Sequence, residues 1–198
     1  VTEVASAIGL ENVKAIQKRN EITNSVEELQ GMNFSVEMET GTGKTYVYLR
    51  TVYELNKLYG FKKFVIVVPS VAIREGVLKN LQITHEHFQS LYDKTSINFD
   101  IYDSKKVSNL RGFSSGNAIQ VLVINIDSFA KDENIINKPN DKLTGKKPIE
   151  FIQSTKPIVI VDEPQNMETG IRKKAIQNLE PLCTLRYSAT HTNLYNLM

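Results

Sequence analysis

The strongest chemical signal in the chain is Met38-Glu39-Thr40-Gly41-Thr42-Gly43-Lys44-Thr45. Gly41 and Gly43 let a backbone turn tightly and bring its N–H groups against an anion with no Cβ in the way. A helix opening at Lys44 would aim the positive end of its dipole at the same anion. Lys44 offers a point charge to the outer phosphates of a nucleotide, and the Thr45 hydroxyl is a hard oxygen for Mg²⁺. Thr40 and Thr42 supply the rest of the cradle. Upstream, Phe34, Val36 and Met38 alternate with Ser35 and Glu37, the pattern of a strand. Strand, glycine turn and helix form the context a phosphate-binding loop requires. One departure stands out: the strict pattern has glycine five residues before Gly43, where this chain has Met38.

A second group follows the apolar run Ile158-Val159-Ile160-Val161: Asp162-Glu163-Pro164-Gln165. Carboxylates at the C-terminal end of a buried strand reach the edge where an open α/β sheet binds ligands. Two adjacent acids there can divide the labour. Asp162 can hold Mg²⁺, directly or through water, while Glu163 orients and deprotonates an attacking water. Pro164 stops the strand. The catalytic candidates are therefore Glu163, Lys44 and Asp162.

These groups need a sheet to position them. Phe64–Val68, Val121–Ile124 and Ile158–Val161 are continuous and β-branched, as in strands buried on both faces of a parallel sheet. Ile97–Tyr102 and Leu182–Tyr187 add two more candidate strands. Between them lie helical stripes: Tyr48, Val52, Leu55 and Tyr59, closed by Gly60; Ile73, Val77 and Leu81 after a possible Ser70 cap; and Ile171, Ala175 and Leu179 before Pro181. Val4, Ile8, Val13 and Ile16 read as helix with a break near Gly9. Arg111–Asn117 and Lys131–Pro148 read as loops, the latter an excursion between core strands whose lysine-rich segment over 138–147 reads as a solvated surface loop or, alternatively, a partner or nucleic-acid contact. The pattern predicts an α/β, three-layer nucleoside-triphosphatase domain with a mostly parallel central sheet. Residues 1–30 form an N-terminal helical segment and 31–198 the nucleotide-binding unit.

Composition narrows the classes. The 198 residues are 41% hydrophobic and 23% charged, with a net charge of +2. That is enough apolar content for a sizeable core and too little charge to argue nucleic-acid binding from bulk composition. A single cysteine, Cys183, excludes an intrachain disulfide and fits a reducing compartment, with the side chain as apolar strand filler. No apolar run approaches the roughly 20 residues of a membrane helix, so no membrane association is expected. No signal peptide is visible, and the start at Val1 is that expected of a piece of a longer protein. His85 and His87 lie two apart and do not share a helix face, and nothing completes a zinc site around them.

Taken with Val68-Pro69-Ser70-Val71-Ala72-Ile73-Arg74-Glu75-Gly76 and Tyr187-Ser188-Ala189-Thr190-His191, the two groups resemble motifs I, Ia, II and III of superfamily 2 helicases. The forms of motifs I, Ia and II resemble the Res subunit of type III restriction enzymes. The resemblance implies a RecA-like fold that binds ATP and Mg²⁺ and couples hydrolysis to movement along double-stranded DNA, for restriction of foreign DNA in a prokaryotic cytoplasm. It implies a methyltransferase subunit as partner, and a second RecA-like domain and a nuclease domain elsewhere in the full-length chain. Residue by residue, it implies triphosphate and metal binding by Thr40–Thr45 with Asp162, and hydrolysis by Glu163. It implies DNA-backbone contact by Pro69, Ser70 and Arg74, and by Asn125 and Ser128 in Asn125-Ile126-Asp127-Ser128-Phe129. Ser188, Ala189 and Thr190 would couple nucleotide state to the DNA path. Gln17, 27 residues before Lys44, lies about where many relatives carry an adenine-reading glutamine. Two other readings remain: another superfamily 2 translocase, of type I restriction or DNA repair, or a nucleic-acid-binding scaffold with a degenerate nucleotide site.

Overall fold

A computed structural model describes residues 3–22, 27–29, 31–167, 169–189 and 197. Six strands run parallel in one sheet: β1 (Asn33–Glu37), β2 (Lys63–Val68), β3 (Ile97–Ile101), β4 (Ile119–Asn125), β5 (Ile158–Asp162) and β6 (Cys183–Ser188), in the order β1-β6-β5-β2-β4-β3. The three continuous β-branched runs are the central strands β5, β2 and β4, where both faces are covered. The alternating β1 and the shorter-patterned β3 are the edges.

Side-chain alternation sends each central strand into two cores. Phe64, Ile66, Val68, Val121, Val123, Ile158 and Ile160 pack against α2 (Lys44–Tyr59) and α3 (Val71–Leu91) on one face. Val65, Val67, Leu122, Ile124, Val159 and Val161 pack on the other, where α4 (Asn109–Ser115), α5 (Pro148–Gln153) and α6 (Gly170–Asn178) supply Leu110, Phe113, Ile149, Ile152, Ala175 and Ile176. This is the expected three-layer α/β architecture. Gly60 closes α2 in the left-handed conformation, and Ser70 caps α3 by accepting from the Ile73 N–H at 3.3 Å.

Three local expectations are corrected and a fourth is refined. Helix α1 (Glu3–Arg19) runs through Gly9 without a break; a Cβ at Gly9 would meet Leu29 Cδ1 at 2.9 Å, so the glycine admits a close neighbour. Residues 109–115 are helix despite their glycine and serines, because burial of Leu110 and Phe113, three apart, outweighs local propensity. Lys63 Nζ holds the end of that helix by donating to the carbonyls of Phe113 and Gly116, at 2.6 and 2.7 Å. On α6 the buried stripe is Ala175, Ile176 and Leu179, while Ile171 is 67% exposed. The excursion over 131–148 contains two 3₁₀ turns, Ile135–Asn137 and Asp141–Leu143, each pinned by one fully buried residue, Ile136 or Leu143; its four lysines over 138–147 are exposed. Cys183 sits in β6, where burial pushes its thiol up to about 11.

The register positions the site. Glu37 aligns with Ser188, Tyr187 with Asp162, Val161 with Val67, and Val68 with Asn125. Five strands thus end level, and every motif emerges at one edge, with β6 alone between the glycine turn and the paired acids. Among the described residues no helix is long and apolar enough to cross a membrane.

Candidate active site

The turn after β1 begins with one more inter-strand bond, from the Met38 N–H to the Ser188 carbonyl at 2.9 Å. The Thr42 N–H and Oγ1 then both return to the Glu39 carbonyl, at 3.4 and 2.6 Å. Gly41 (φ +83°) and Gly43 (φ +86°) are left-handed, with open space where a side chain would stand, so backbone conformation rather than crowding demands glycine. Gly43 is also the N-cap of α2 and offers no side-chain acceptor, which leaves the first N–H groups of the helix for an incoming anion.

Across β6, Lys44 Nζ lies 3.1 Å from Glu163 Oε1, with the two side chains 9% and 25% exposed. Glu163 has φ +53°, a conformation that costs a non-glycine residue energy and is found at functional sites. It is held there by its N–H, which donates to the Tyr187 carbonyl at 3.1 Å, and by Pro164 at the head of the 3₁₀ turn Pro164–Asn166. Gln165 spans the site: its Nε2 donates to Glu163 Oε2 at 2.7 Å, and its Oε1 accepts from Ser188 Oγ at 3.1 Å.

Asp162 is 5% exposed and accepts from the Tyr48 hydroxyl at 3.3 Å. Burial, reinforced by the neighbouring Glu163 charge, pushes its carboxyl up to about 6. The Tyr48 hydroxyl, which also interacts with the Thr45 side chain, is raised by burial and by the Asp162 charge. Thr45 and Asp162 thus flank one phenol oxygen. They form a pair of hard oxygen donors, and Lys44 is the cation beside the two carboxylates, Asp162 and Glu163. That donor set fits Mg²⁺.

The structure brings together Lys44, Thr45, Asp162, Glu163 and Ser188. Ala189 follows β6 directly, while Thr190 lies outside the described residues. Gln17 is 1% exposed and donates its amide to the Leu197 carbonyl at 2.8 Å; beside it a cleft of about 420 Å³ opens between Asn20, Ile22 and the Val36–Glu39 strand end. Of the DNA-contact candidates, Arg74 and Ser128 line one cleft of about 990 Å³ along the ends of β3 and β4. Pro69 and Ser70 stand at the head of α3, and the Ser70 hydroxyl is engaged as its cap. Asn125 Oδ1 caps the 3₁₀ turn Ile126–Ser128 by accepting from the Asp127 N–H at 2.9 Å. Arg74 pairs with Glu75 at 2.9 Å.

Sequence reading missed two members of the site. Tyr48 stands three residues after Thr45, hence on the same helix face, a signal that was available. Gln165 belongs to the acidic motif, but its bridging role depends on Ser188, 23 residues away.

The sequence pattern of the family described as "Type III restriction enzyme, res subunit" matches residues 11–193. The StyLTI Res subunit of Salmonella typhimurium is 34% identical, over 82% of this chain and 18% of its own length. The EcoP15I Res subunit of Escherichia coli is 30% identical, over 93% of this chain and 21% of its own length. The chain therefore spans about a fifth of these relatives. Among solved structures, the Sulfolobus solfataricus SWI2/SNF2 ATPase core superposes with a TM-score of 0.51 at 12% identity, over 94% of this chain and 31% of that one. A nuclease-deletion mutant of the Type ISP restriction-modification enzyme LlaGI gives 0.51 at 17% identity, over 91% and 17%. At these identities the two structures establish the shared fold.

Proposed function

Because this chain belongs to the family of type III restriction enzyme Res subunits, we propose that it is the first RecA-like domain of their motor, coupling ATP hydrolysis to movement along double-stranded DNA in the restriction of foreign DNA. The observation that carries this reading is the convergence of the glycine turn, Lys44, Thr45, Asp162 and Glu163 at one edge of the sheet.

The chemistry follows from the contacts. The triphosphate seats on the glycine turn and the opening N–H groups of α2, and its outer oxygens draw Lys44 away from Glu163. Glu163 then takes the proton of a water attacking the terminal phosphorus in line, as the bond from that phosphorus to its bridging oxygen breaks and the diphosphate leaves. Thr45 and Asp162 would hold Mg²⁺, which when bound would supply positive charge to the phosphate oxygens. Gln165 keeps Glu163 oriented and passes its position to Ser188, and through Ser188, Ala189 and Thr190 to the DNA path. Adenine occupies the cleft beside Gln17. DNA phosphates run past Pro69, Ser70, Arg74, Asn125 and Ser128, contacts that position a backbone without reading sequence and so suit a moving motor. In the complete protein a second RecA-like domain closes over the nucleotide, a nuclease domain cuts, and a methyltransferase subunit reads the recognition site. The prokaryotic cytoplasm, where invading DNA arrives, is the place of action.

The test is made on the complete protein with its methyltransferase partner. Lys44→Ala should abolish ATP binding and DNA-dependent hydrolysis together. Persistence of both in that variant would rule out the assigned site.

A further inference from the structure

The turn that carries the hydrolytic acid and the turn that faces the large cleft sit at the ends of β5 and β4, which are separated by β2. No strand pairing joins them directly. One side chain does. Arg172, in the first turn of α6, donates from Nη1 to the Asn166 carbonyl at 2.7 Å and from Nη2 to Asp127 Oδ1 at 2.8 Å. Helix α6 itself packs against the Ile126–Ser128 turn.

Each end of this bridge leads somewhere. Asn166 follows Gln165, whose amide holds both Glu163 and Ser188. Asp127 lines the cleft of about 990 Å³ with Arg74 and Ser128, and its own carbonyl accepts from Asn134 Nδ2 at 3.1 Å. A continuous set of contacts thus runs from Lys44 through Glu163, Gln165, Asn166 and Arg172 to the cleft wall. The planar guanidinium suits the place, because it presents separate N–H donors to two acceptors on different elements; a lysine ammonium is a point charge without that fork.

We propose that Arg172 is a positioning residue that transmits the state of the nucleotide site to the DNA-facing turn after β4. The proposal rests on the reading of the chain as an ATP-driven DNA motor. Coupling requires an element with two arrangements. Here that element is the Pro164–Asn166 turn, because Glu163 at its head exchanges Lys44 for water when the triphosphate binds. The pair with Asp127 is exposed enough (side chains 33% and 63%) to add little to folding, so its loss should register in coupling and not in melting.

The experiment uses the complete protein with its partner subunit and measures ATP hydrolysis with and without double-stranded DNA. Arg172→Gln should leave hydrolysis without DNA within about twofold of wild type and lower the stimulation by DNA by about fivefold or more, within the range coupling residues can command. Arg172→Lys should fall between. Asp127→Asn added to Arg172→Gln should cost no more than Arg172→Gln alone, because both cut one connection. An unchanged melting temperature completes the expected result. Stimulation by DNA that stays within twofold of wild type would overturn the proposal. So would a parallel loss of basal hydrolysis, stimulation and melting temperature, since that marks a purely structural tie. Lys44→Ala is run alongside: if it still hydrolyses ATP, or if DNA stimulates nothing in the wild type, the motor reading itself fails and the proposal with it.

Discussion

Glu163→Gln separates the two jobs assigned to this acid. Before nucleotide arrives, Glu163 holds Lys44 at 3.1 Å, with the lysine only 9% exposed. ATP must break that contact and place its own anionic oxygens on the same ammonium. Exposed pairs contribute about 0–1 kcal/mol, and removing one partner of a fully buried pair costs about 3–5 kcal/mol. This half-buried pair lies between, at about 1–2 kcal/mol. The amide removes that competition, so the variant should bind ATP about 5- to 30-fold more tightly, since 1.4 kcal/mol is tenfold. It also removes the base, so turnover should fall by about 10²–10⁴. Titration calorimetry with ATP and Mg²⁺ reads the affinity, and phosphate release in the complete protein reads the turnover. If the variant binds ATP no better than wild type, the Lys44–Glu163 contact is not what nucleotide displaces. If it hydrolyses at the wild-type rate, Glu163 is not the base.

Three further outcomes follow from the same contacts. With its carboxyl raised from 3.8 to about 6, Asp162 favours the folded state in its protonated form. Its contribution is therefore fully present below pH ~4 and lost as the pH rises through ~6, a change of roughly 3 kcal/mol for about two pH units. In urea denaturation with EDTA, Asp162→Asn should be more stable than wild type at pH 7.5 and equal to it near pH 4; a less stable variant at pH 7.5 contradicts the assignment. Tyr48→Phe removes a donor that favours the charged carboxylate, so the pH at which the metal-free protein loses this stability should move upward; a downward move refutes the contact. Ser70→Ala should cost about 1 kcal/mol and Ser70→Gly only a few tenths, the signature of an N-cap; equal losses in denaturant melts would assign Ser70 another role.

The central sheet was legible because three of its four inner strands, β5, β2 and β4, carry continuous apolar runs, and runs of that kind arise from burial on both faces. The glycine turn was legible because left-handed backbone and free N–H groups leave a residue-type record at Gly41 and Gly43. What stayed hidden depended on partners distant in sequence. Helix α4 is specified by what Leu110 and Phe113 bury, not by the glycine and serines around them. Gly9 looked like a helix break because Leu29, the neighbour packed against it, is invisible in a local window. Within the site, the carboxylates declared themselves by type and position, whereas Gln165 and Arg172 acquire their roles only through Ser188 and Asp127. Gln17 fell at the distance expected for adenine contact, yet its burial and its bond to Leu197 could not be foreseen from spacing.

The most direct test is an experimental structure of the protein with Mg²⁺ and a non-hydrolysable ATP analogue. The predicted result places the triphosphate on the N–H groups of Gly41–Thr45, with Lys44 turned from Glu163 to the outer phosphates and the metal between Thr45 and Asp162. A triphosphate bound elsewhere, or one bound with the Lys44–Glu163 contact intact, would contradict it.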